Sequence, residues 1–279
     1  MSLATSTIII MSSHHWLLAW IGLELNTLSI LPIIMGRHHP RATEATTKYF
    51  IIQALAATLI LFASVMNAWQ TGQWSITNTT TPATIIITIA IMLKLGLAPM
   101  HAWYPEVLQG SSMNTALIIS TWQKIAPLTL LYLMNNNQPT NLLLLLGLSS
   151  TILGGWAGLN QTQTRKIMAL SSVAHMGWLI VALNTNLNIS TITLMTYIIM
   201  TTAMFMSLNM LMAKTLADLG TAWSQSPALT AMMMITLMSL GGLPPLTGFI
   251  PKWLIITNLC NMKLLMISLM MAMASLPSL

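Results

Sequence analysis

Long apolar stretches, each about as long as a bilayer is thick, follow one another along this chain. A bilayer core of about 30 Å is crossed by roughly 20 helical residues. By that measure, stretches 14–35, 48–68, 83–103, 113–134, 141–159, 165–183, 190–212 and 228–260 are predicted to span it. Only 5% of the residues are charged, against about 25% in a soluble domain. This composition excludes a soluble enzyme, a disordered tail and a nucleic-acid binder, and predicts an all-α, polytopic transmembrane helix bundle.

Two shorter apolar stretches, 3–11 and 262–276, flank this set. With them the bundle is predicted to have about 8–10 spans, two of them broken. Because the connections between spans are short, residues 1–279 are expected to form a single membrane domain. Since the stretch 3–11 is too short to cross a bilayer and residues 275–279 carry no polar tail, we also expect a sequence that is truncated at both ends.

Positive charge lies in alternate connections between the predicted spans. Lysine and arginine near span ends collect on the cytoplasmic side of a membrane, or on the matrix side in a mitochondrion. One set of connections holds only Lys263. The other set holds six cations, which are predicted to lie on the matrix or cytoplasmic side: Arg37, Arg41, Lys48, Arg165, Lys166 and Lys214.

Four ionisable side chains remain inside the apolar stretches: Glu24, Lys94, Lys124 and Lys252. A charge at the centre of a spanning helix costs about 2.5–3.5 kcal/mol on insertion scales. A chain that only had to sit in lipid would carry leucine at these positions. For Lys94 and Lys124, deep in their spans, we therefore favour a functional role over a purely structural one.

Helix breakers accompany the three buried lysines. Pro99 removes a backbone donor and is predicted to break its helix near Leu95, just after Lys94. Pro244 and Pro245 interrupt the chain shortly before Lys252, and Pro127 stands close behind Lys124. Carbonyl groups freed in a membrane are tolerated where they line a hydrated cavity or contact other polar groups. Broken helices that carry charge are typical of ion paths in transporters.

The chemistry that these residues favour is proton transfer. Burial disfavours the charged form of a lysine amine, and a nearby carboxylate restores it. Moving such a carboxylate away releases a proton, and returning it recaptures one. Glu24 is the carboxylate available deep in a span, so we predict that it partners Lys94.

The histidines and the cysteine carry weaker signals. His175 lies in mid-span among serine hydroxyls, where a proton relay between Lys124 and Lys252 and an ordinary interhelical histidine are equally plausible. His101 follows the Pro99 break, and we expect a relay or a polar lining role for it. The single cysteine, Cys260, forbids a CxxC motif, and no metal site is predicted.

Three motifs carry a resemblance that covers the chain: GLELN at 22–26, KLGLAPMHAW at 94–103 and GLPPLTGF at 242–249. They resemble the antiporter-like, proton-translocating subunits of respiratory complex I. The segment HPRATEATTKYF at 39–50 narrows the resemblance to vertebrate mitochondrial members. The resemblance implies that Glu24 is the family's glutamate, with Lys94, Lys124 and Lys252 as its partner, central and distal lysines.

The resemblance also implies the setting of the chain. It would lie in the mitochondrial inner membrane as a core subunit of a proton-translocating NADH:ubiquinone reductase. Its partners would be other membrane-arm subunits, including neighbouring antiporter-like chains, and lipids such as cardiolipin, with no nucleic acid. NADH, FMN, iron–sulfur clusters and ubiquinone would be bound by other subunits, and this chain would hold no cofactor. A standalone cation/proton antiporter and a non-pumping scaffold remain as alternatives.

Overall fold

The computed structural model describes residues 1–36 and 39–276, and these residues confirm the all-α bundle. They form fourteen α-helices and one short 3-10 helix, Asn135–Asn137, with isolated β-bridges but no strand. The helices are α1 Ser2–Met11, α2 Trp16–Met35, α3 Pro40–Thr71, α4 Thr81–Leu95, α5 Trp103–Gly110, α6 Met113–Ser120, α7 Trp122–Leu133, α8 Thr140–Leu159, α9 Thr164–Thr185, α10 Leu187–Met210, α11 Leu216–Ala222, α12 Pro227–Gly241, α13 Phe249–Asn261 and α14 Leu265–Ser275.

Six predicted spans are confirmed as helical segments long and apolar enough to cross a membrane, with α6 and α7 together forming one of them. The second begins earlier than predicted, at Pro40 instead of Lys48. Proline suits the first position of a helix because its missing N–H has no partner there in any case. The His39 ring also accepts a hydrogen bond from the Arg41 amide at 3.2 Å.

The two remaining predicted spans are broken as expected. In the first, α4 ends at Leu95, and Gly96 continues the chain with a φ of 71°. In the second, α12 ends at Gly241 and Gly242 has a φ of 90°. A positive φ is readily adopted by glycine, which explains why glycine follows each helix end.

A third interruption precedes Lys124, whereas the sequence placed a helix breaker behind it. The helical hydrogen-bond pattern is interrupted at Thr121, between α6 and α7, while Pro127 lies inside α7. Pro127 has no N–H to donate to the carbonyl of Gln123, four residues earlier, yet α7 continues past it to Leu133. The Thr121 hydroxyl donates to the Leu117 carbonyl at 2.7 Å at this interruption.

Helix α9 lies at the centre of the bundle. In the most apolar 18-residue stretch of α9, 78% of the residues are buried, against 39% to 61% in the corresponding stretches of the other five candidate spans. Its neighbour α8 approaches it at backbone distance, since a Cβ atom at Gly154 would lie 2.8 Å from the Ala174 nitrogen. Small residues permit such close helix contacts in membranes. The central position of α9 brings His175 into the interior of the bundle.

Positive charge converges at one end of the bundle. Arg41, Arg165 and Lys214, from three separate predicted connections, line one cavity of about 640 Å³. Lys48 makes exposed ion pairs with Glu44 at 2.6 Å and with Glu106 at 2.7 Å. The predicted cation Arg37 lies outside the described residues.

Candidate functional site

Lys124 is held by two aromatic rings in the interior. Its side chain lies in the first turn of α7 and is 3% exposed. The ammonium nitrogen donates to the Tyr197 hydroxyl at 3.0 Å. It also lies 4.9 Å from the ring centroid of Tyr197 and 5.0 Å from that of Tyr104. Aromatic faces stabilise a cation at these distances, so Lys124 can carry a charge in an apolar bundle.

Lys94 shares a small cavity with Lys124. It lies in the last turn of α4 and is 6% exposed. The cavity that both lysines line measures about 20 Å³, enough for about one water molecule. The Gln53 amide donates to the Lys94 carbonyl at 3.3 Å, which satisfies an acceptor left free by the helix end.

Glu24 lies near Lys94 without contacting it. The carboxylate is half-buried on α2 and accepts a hydrogen bond from the Thr27 hydroxyl at 3.2 Å. Its charge acts on Lys94 electrostatically. In the described parts of the chain, however, no carboxylate oxygen comes within 4.0 Å of the Lys94 amine. The predicted partnership therefore takes the form of an interaction through space, whose strength depends on how far α2 lies from α4.

An amide pair joins the helix of Glu24 to the helix of Lys124. The Asn26 side chain donates to Gln123 at 2.8 Å, and Gln123 donates back at 3.3 Å. Both side chains are buried and both line the cavity of Lys94 and Lys124. Each amide neighbours a predicted charged residue in sequence, yet nothing in the sequence predicts that the two amides meet.

Lys252 caps the end of a broken helix. It lies in the first turn of α13, is 8% exposed, and donates to the Gly241 carbonyl at 2.6 Å. Gly241 is the last residue of α12, so its carbonyl has no partner within that helix. The expectation that a freed intramembrane carbonyl contacts another polar group is confirmed here.

His175 lies in the interior, where the charges of both Lys124 and Lys252 reach it. Its ring centroid is 5.8 Å from that of Tyr197, and its ring interacts with the Leu240 backbone. His175 lines two cavities that both reach Lys252, one of about 20 Å³ and one of about 450 Å³. The charges of Lys252 and Lys124 both act on it. This placement suits the predicted relay, while the role itself stays a prediction.

His101 is placed differently from His175. It lies in the connection between α4 and α5, where its carbonyl accepts from the Tyr104 amide at 3.0 Å. The buried Nδ1 atom makes no hydrogen bond to the residues that the structure describes. His101 is also absent from the residues that line the cavity of Lys94 and Lys124. The structure thus brings five of the six predicted site residues into one region, and leaves His101 beside it.

Two tyrosines were missed by the sequence analysis. Tyr104 and Tyr197 are both 2% exposed and both face Lys124. The Ser172 hydroxyl of α9 interacts with the phenols of both. The chain has only four tyrosines, and a phenol in an apolar span needs a polar partner. For Tyr197, in the predicted span 190–212, that requirement was the available signal, although it does not identify the partner. Tyr104 follows the span predicted at 83–103 and carried no such signal.

The assembled groups have one chemical property in common. Amines, a carboxylate, an imidazole and phenols all exchange protons and can act as acids and bases. Among residues 1–36 and 39–276, no three histidine, cysteine, aspartate or glutamate side chains cluster as a metal site would require. The arrangement places side chains that can accept and donate protons in the interior of the bundle.

A family model described as NADH:quinone oxidoreductase/Mrp antiporter, TM, matches residues 13–277. The chain belongs to this family. Its relatives include proteins named NADH-ubiquinone oxidoreductase chain 2 from Polypterus ornatipinnis, 55% identical, and Xenopus laevis, 52% identical. Each alignment covers 100% of this chain and 81% of the relative.

Solved structures agree with the sequence relatives. A chain of respiratory complex I from Thermus thermophilus matches with a TM-score of 0.92 and 28% identity. The match covers 99% of this chain and 66% of that chain. A chain of the Mrp complex from Dietzia sp. DQ12-45-1b matches with a TM-score of 0.88 over 99% of this chain and 57% of its own length. At 15% identity, the Mrp chain shows a shared fold alone.

Proposed function

We propose that this chain is a membrane-arm subunit of respiratory complex I that translocates protons across the mitochondrial inner membrane. One observation carries this proposal. Two small cavities lie inside a membrane bundle, one lined by Lys94 and Lys124 and the other by Tyr197, His175 and Lys252, and the hydrogen bond from Lys124 to Tyr197 links their linings. Proton-exchanging side chains in a spanning segment are costly, and they mark ion or proton paths by default.

In the proposed mechanism, the distance between Glu24 and Lys94 controls whether the Lys94 amine holds a proton. With Glu24 near, the ammonium form of Lys94 is stabilised. When adjoining subunits draw the carboxylate away, Lys94 releases its proton toward the Lys124 amine across the shared cavity. The proton then passes by way of His175 toward Lys252 and the far side of the membrane. Returning the carboxylate allows Lys94 to recapture a proton from the matrix side.

The proposal assigns the redox chemistry to other chains. NADH oxidation by FMN and iron–sulfur clusters, and reduction of ubiquinone, would take place there and would drive the motion of Glu24. This chain would hold no redox cofactor and bind no nucleic acid. Its partners would be the neighbouring antiporter-like chains and the other membrane-arm subunits. The end of the bundle with Arg41, Arg165 and Lys214 would face the matrix, in keeping with the bias of positive charge toward that side.

A standalone cation/proton antiporter is less well supported. It would have the same broken helices and buried lysines, and the Mrp complex has a chain of similar fold. The relatives at 52% to 55% identity, however, take their name from NADH-ubiquinone oxidoreductase. A non-pumping scaffold would need no proton-exchanging groups in its interior, so the buried lysines argue against it.

The central test replaces Glu24 and Lys94, one at a time. In the assembled complex, reconstituted into vesicles, we expect Glu24→Gln and Lys94→Met to lower the number of protons moved per electron. Glutamine keeps the shape of the side chain but cannot switch the protonation of Lys94. Glu44→Gln is the matched control, since Glu44 pairs with the exposed Lys48. An unchanged proton-to-electron ratio in both site variants would defeat the proposal.

We also propose that the cationic cavity binds an anionic lipid headgroup such as that of cardiolipin. The arginine side chains of Arg41 and Arg165 repel each other, and Arg165 donates to the Ser111 carbonyl. Beside Lys214, the backbone amides of Thr215 and Lys214 donate to Asp218 and lower its pKa. A phosphate diester between the two arginines would relieve their repulsion and accept their hydrogen bonds.

Lipid retention tests this second proposal. A basic residue near a membrane surface contributes about 1 kcal/mol to binding an anionic lipid, so Arg165→Gln should lower cardiolipin retention about fivefold. The measurement is the lipid content of the purified complex by mass spectrometry. Lys166→Gln is the control, because Lys166 does not line this cavity. Equal cardiolipin content in the two variants would contradict the proposal.

A further inference from the structure

The hydroxyl of Tyr197 links the linings of the two cavities of the site through a hydrogen bond. Tyr197 projects from α10 and lines the cavity that holds His175 and Lys252. Its oxygen accepts the hydrogen bond from Lys124, which lines the other cavity. The hydrogen bond between Lys124 and Tyr197 is therefore a direct link between a group that lines one cavity and a group that lines the other.

The interruption ahead of Lys124 creates the second partner of Tyr197. In a continuous helix the Ser120 carbonyl would accept from the amide of Lys124. At the Thr121 break, that amide bonds to the Thr121 carbonyl at 3.3 Å instead. The Tyr197 hydroxyl donates to the freed Ser120 carbonyl at 2.9 Å. Its proton is thus held by Ser120 while its lone pairs face Lys124.

The ring of Tyr197 contacts the next group along the path. The His175 and Tyr197 ring centroids lie 5.8 Å apart with a tilt of 46°. The Ser172 hydroxyl, one turn before His175 on α9, also interacts with the phenol. Tyr197 therefore has Lys124 on one side and an imidazole on the other, with a carbonyl that can hold its proton between transfers.

We propose that Tyr197 is a proton-transfer group between Lys124 and His175, and that the Ser120 carbonyl holds its hydroxyl in the resting orientation. This inference rests on the proposed function and extends it. In the transfer, the Tyr197 hydroxyl rotates away from Ser120 and gives its proton to a His175 ring nitrogen, directly or through one water. At the same time its oxygen takes a proton from the Lys124 ammonium. One N–H bond is lost at Lys124 and one is formed at His175, and the phenol stays neutral.

The conservative variant Tyr197→Phe removes only the hydroxyl. The ring face beneath Lys124 and the contact with His175 remain. We expect the proton flux through this subunit, per assembled complex, to fall by at least about 10²-fold, because a positioned acid–base group contributes roughly 10²–10⁴-fold to a proton transfer and phenylalanine carries no proton. NADH oxidation by a water-soluble acceptor should not change. Tyr132→Phe is the matched control, since that phenol bonds to the Ser190 hydroxyl at 2.7 Å outside the site.

A second variant separates transfer from simple positioning. Imidazole exchanges protons, so in Tyr197→His the pumping rate should gain a pH dependence that the unsubstituted complex lacks. If Tyr197 only holds Lys124 in place, the pH profile of this variant will match that of the unsubstituted complex. That match, or full pumping by Tyr197→Phe, would overturn the inference. If Tyr197→Phe fails to assemble, the pH profile of Tyr197→His decides alone.

Lys124→Met in the same assay distinguishes a failure of the inference about Tyr197 from a failure of the proposed function. Loss of pumping in Lys124→Met with full pumping in Tyr197→Phe would remove Tyr197 from the path and leave the proposed function intact. Full pumping in both variants would remove the proposed function as well. Loss in both, with a normal Tyr132→Phe, is the expected result.

Discussion

Replacing Lys124 by methionine is expected to cost the assembled complex most of the proton translocation that passes through this chain. Methionine fills a similar volume but carries no proton. A positioned acid–base group contributes roughly 10²–10⁴-fold to the rate of a proton transfer, so the flux through this subunit should fall by at least about 10²-fold. The measurement is NADH-driven acidification of vesicles, normalised to assembled complex.

The control for Lys124→Met is Lys263→Met, because Lys263 is exposed in the turn between α13 and α14. We expect Lys263→Met to pump normally. NADH oxidation by a water-soluble acceptor should stay unchanged in both variants, since that reaction is assigned to other subunits. If Lys124→Met assembled and pumped at the rate of Lys263→Met, the path proposed through Lys124 would be wrong.

The sequence predicts most of the fold because its strongest signals are local. Apolar stretches of membrane length give the spans, and the GLPP segment at 242–245 gives the break between α12 and α13. Lysines inside apolar stretches stand out without any knowledge of packing, since a charge in lipid is costly. Pro99, Pro244 and Pro245 likewise made the interruptions beside Lys94 and Lys252 predictable.

The pairings within the site could not be predicted. Lys124 and Tyr197 are 73 positions apart, and Asn26 and Gln123 are 97 apart. Such contacts depend on the rotation and depth of whole helices, which no local pattern encodes. The Thr121 interruption was missed because threonine is common inside membrane helices and carries little breaking signal compared with Pro127.

Each helix interruption frees a carbonyl that a polar side chain from elsewhere satisfies. Gln53 donates to the Lys94 carbonyl, Tyr197 to that of Ser120, and Lys252 to that of Gly241. An unpaired carbonyl in lipid costs several kcal/mol, so these bonds stabilise the breaks. The breaks in turn place polar groups beside each buried lysine. Stability and the proposed proton transfer would therefore depend on the same few contacts.

Two variants of Lys252 separate its contribution to stability from its proposed contribution to proton transfer. Its amine both caps the Gly241 carbonyl and carries charge in the interior. In Lys252→Met the carbonyl loses its donor, which costs about 1–3 kcal/mol for a buried acceptor, so we expect less assembled complex and little pumping. In Lys252→Gln the side-chain amide can still donate to Gly241. We expect this variant to recover assembly, measured on native gels, but not proton translocation.

The contrast between the two Lys252 variants is the informative result. Glutamine offers a donor without a transferable charge, so assembly without pumping assigns a proton-transfer role to the amine. Lys263→Gln provides the control for the exchange itself. Recovery of both assembly and pumping in Lys252→Gln would mean that Lys252 is a helix cap, and the path would then have to leave the bundle from His175 by the 450 Å³ cavity that this histidine also lines.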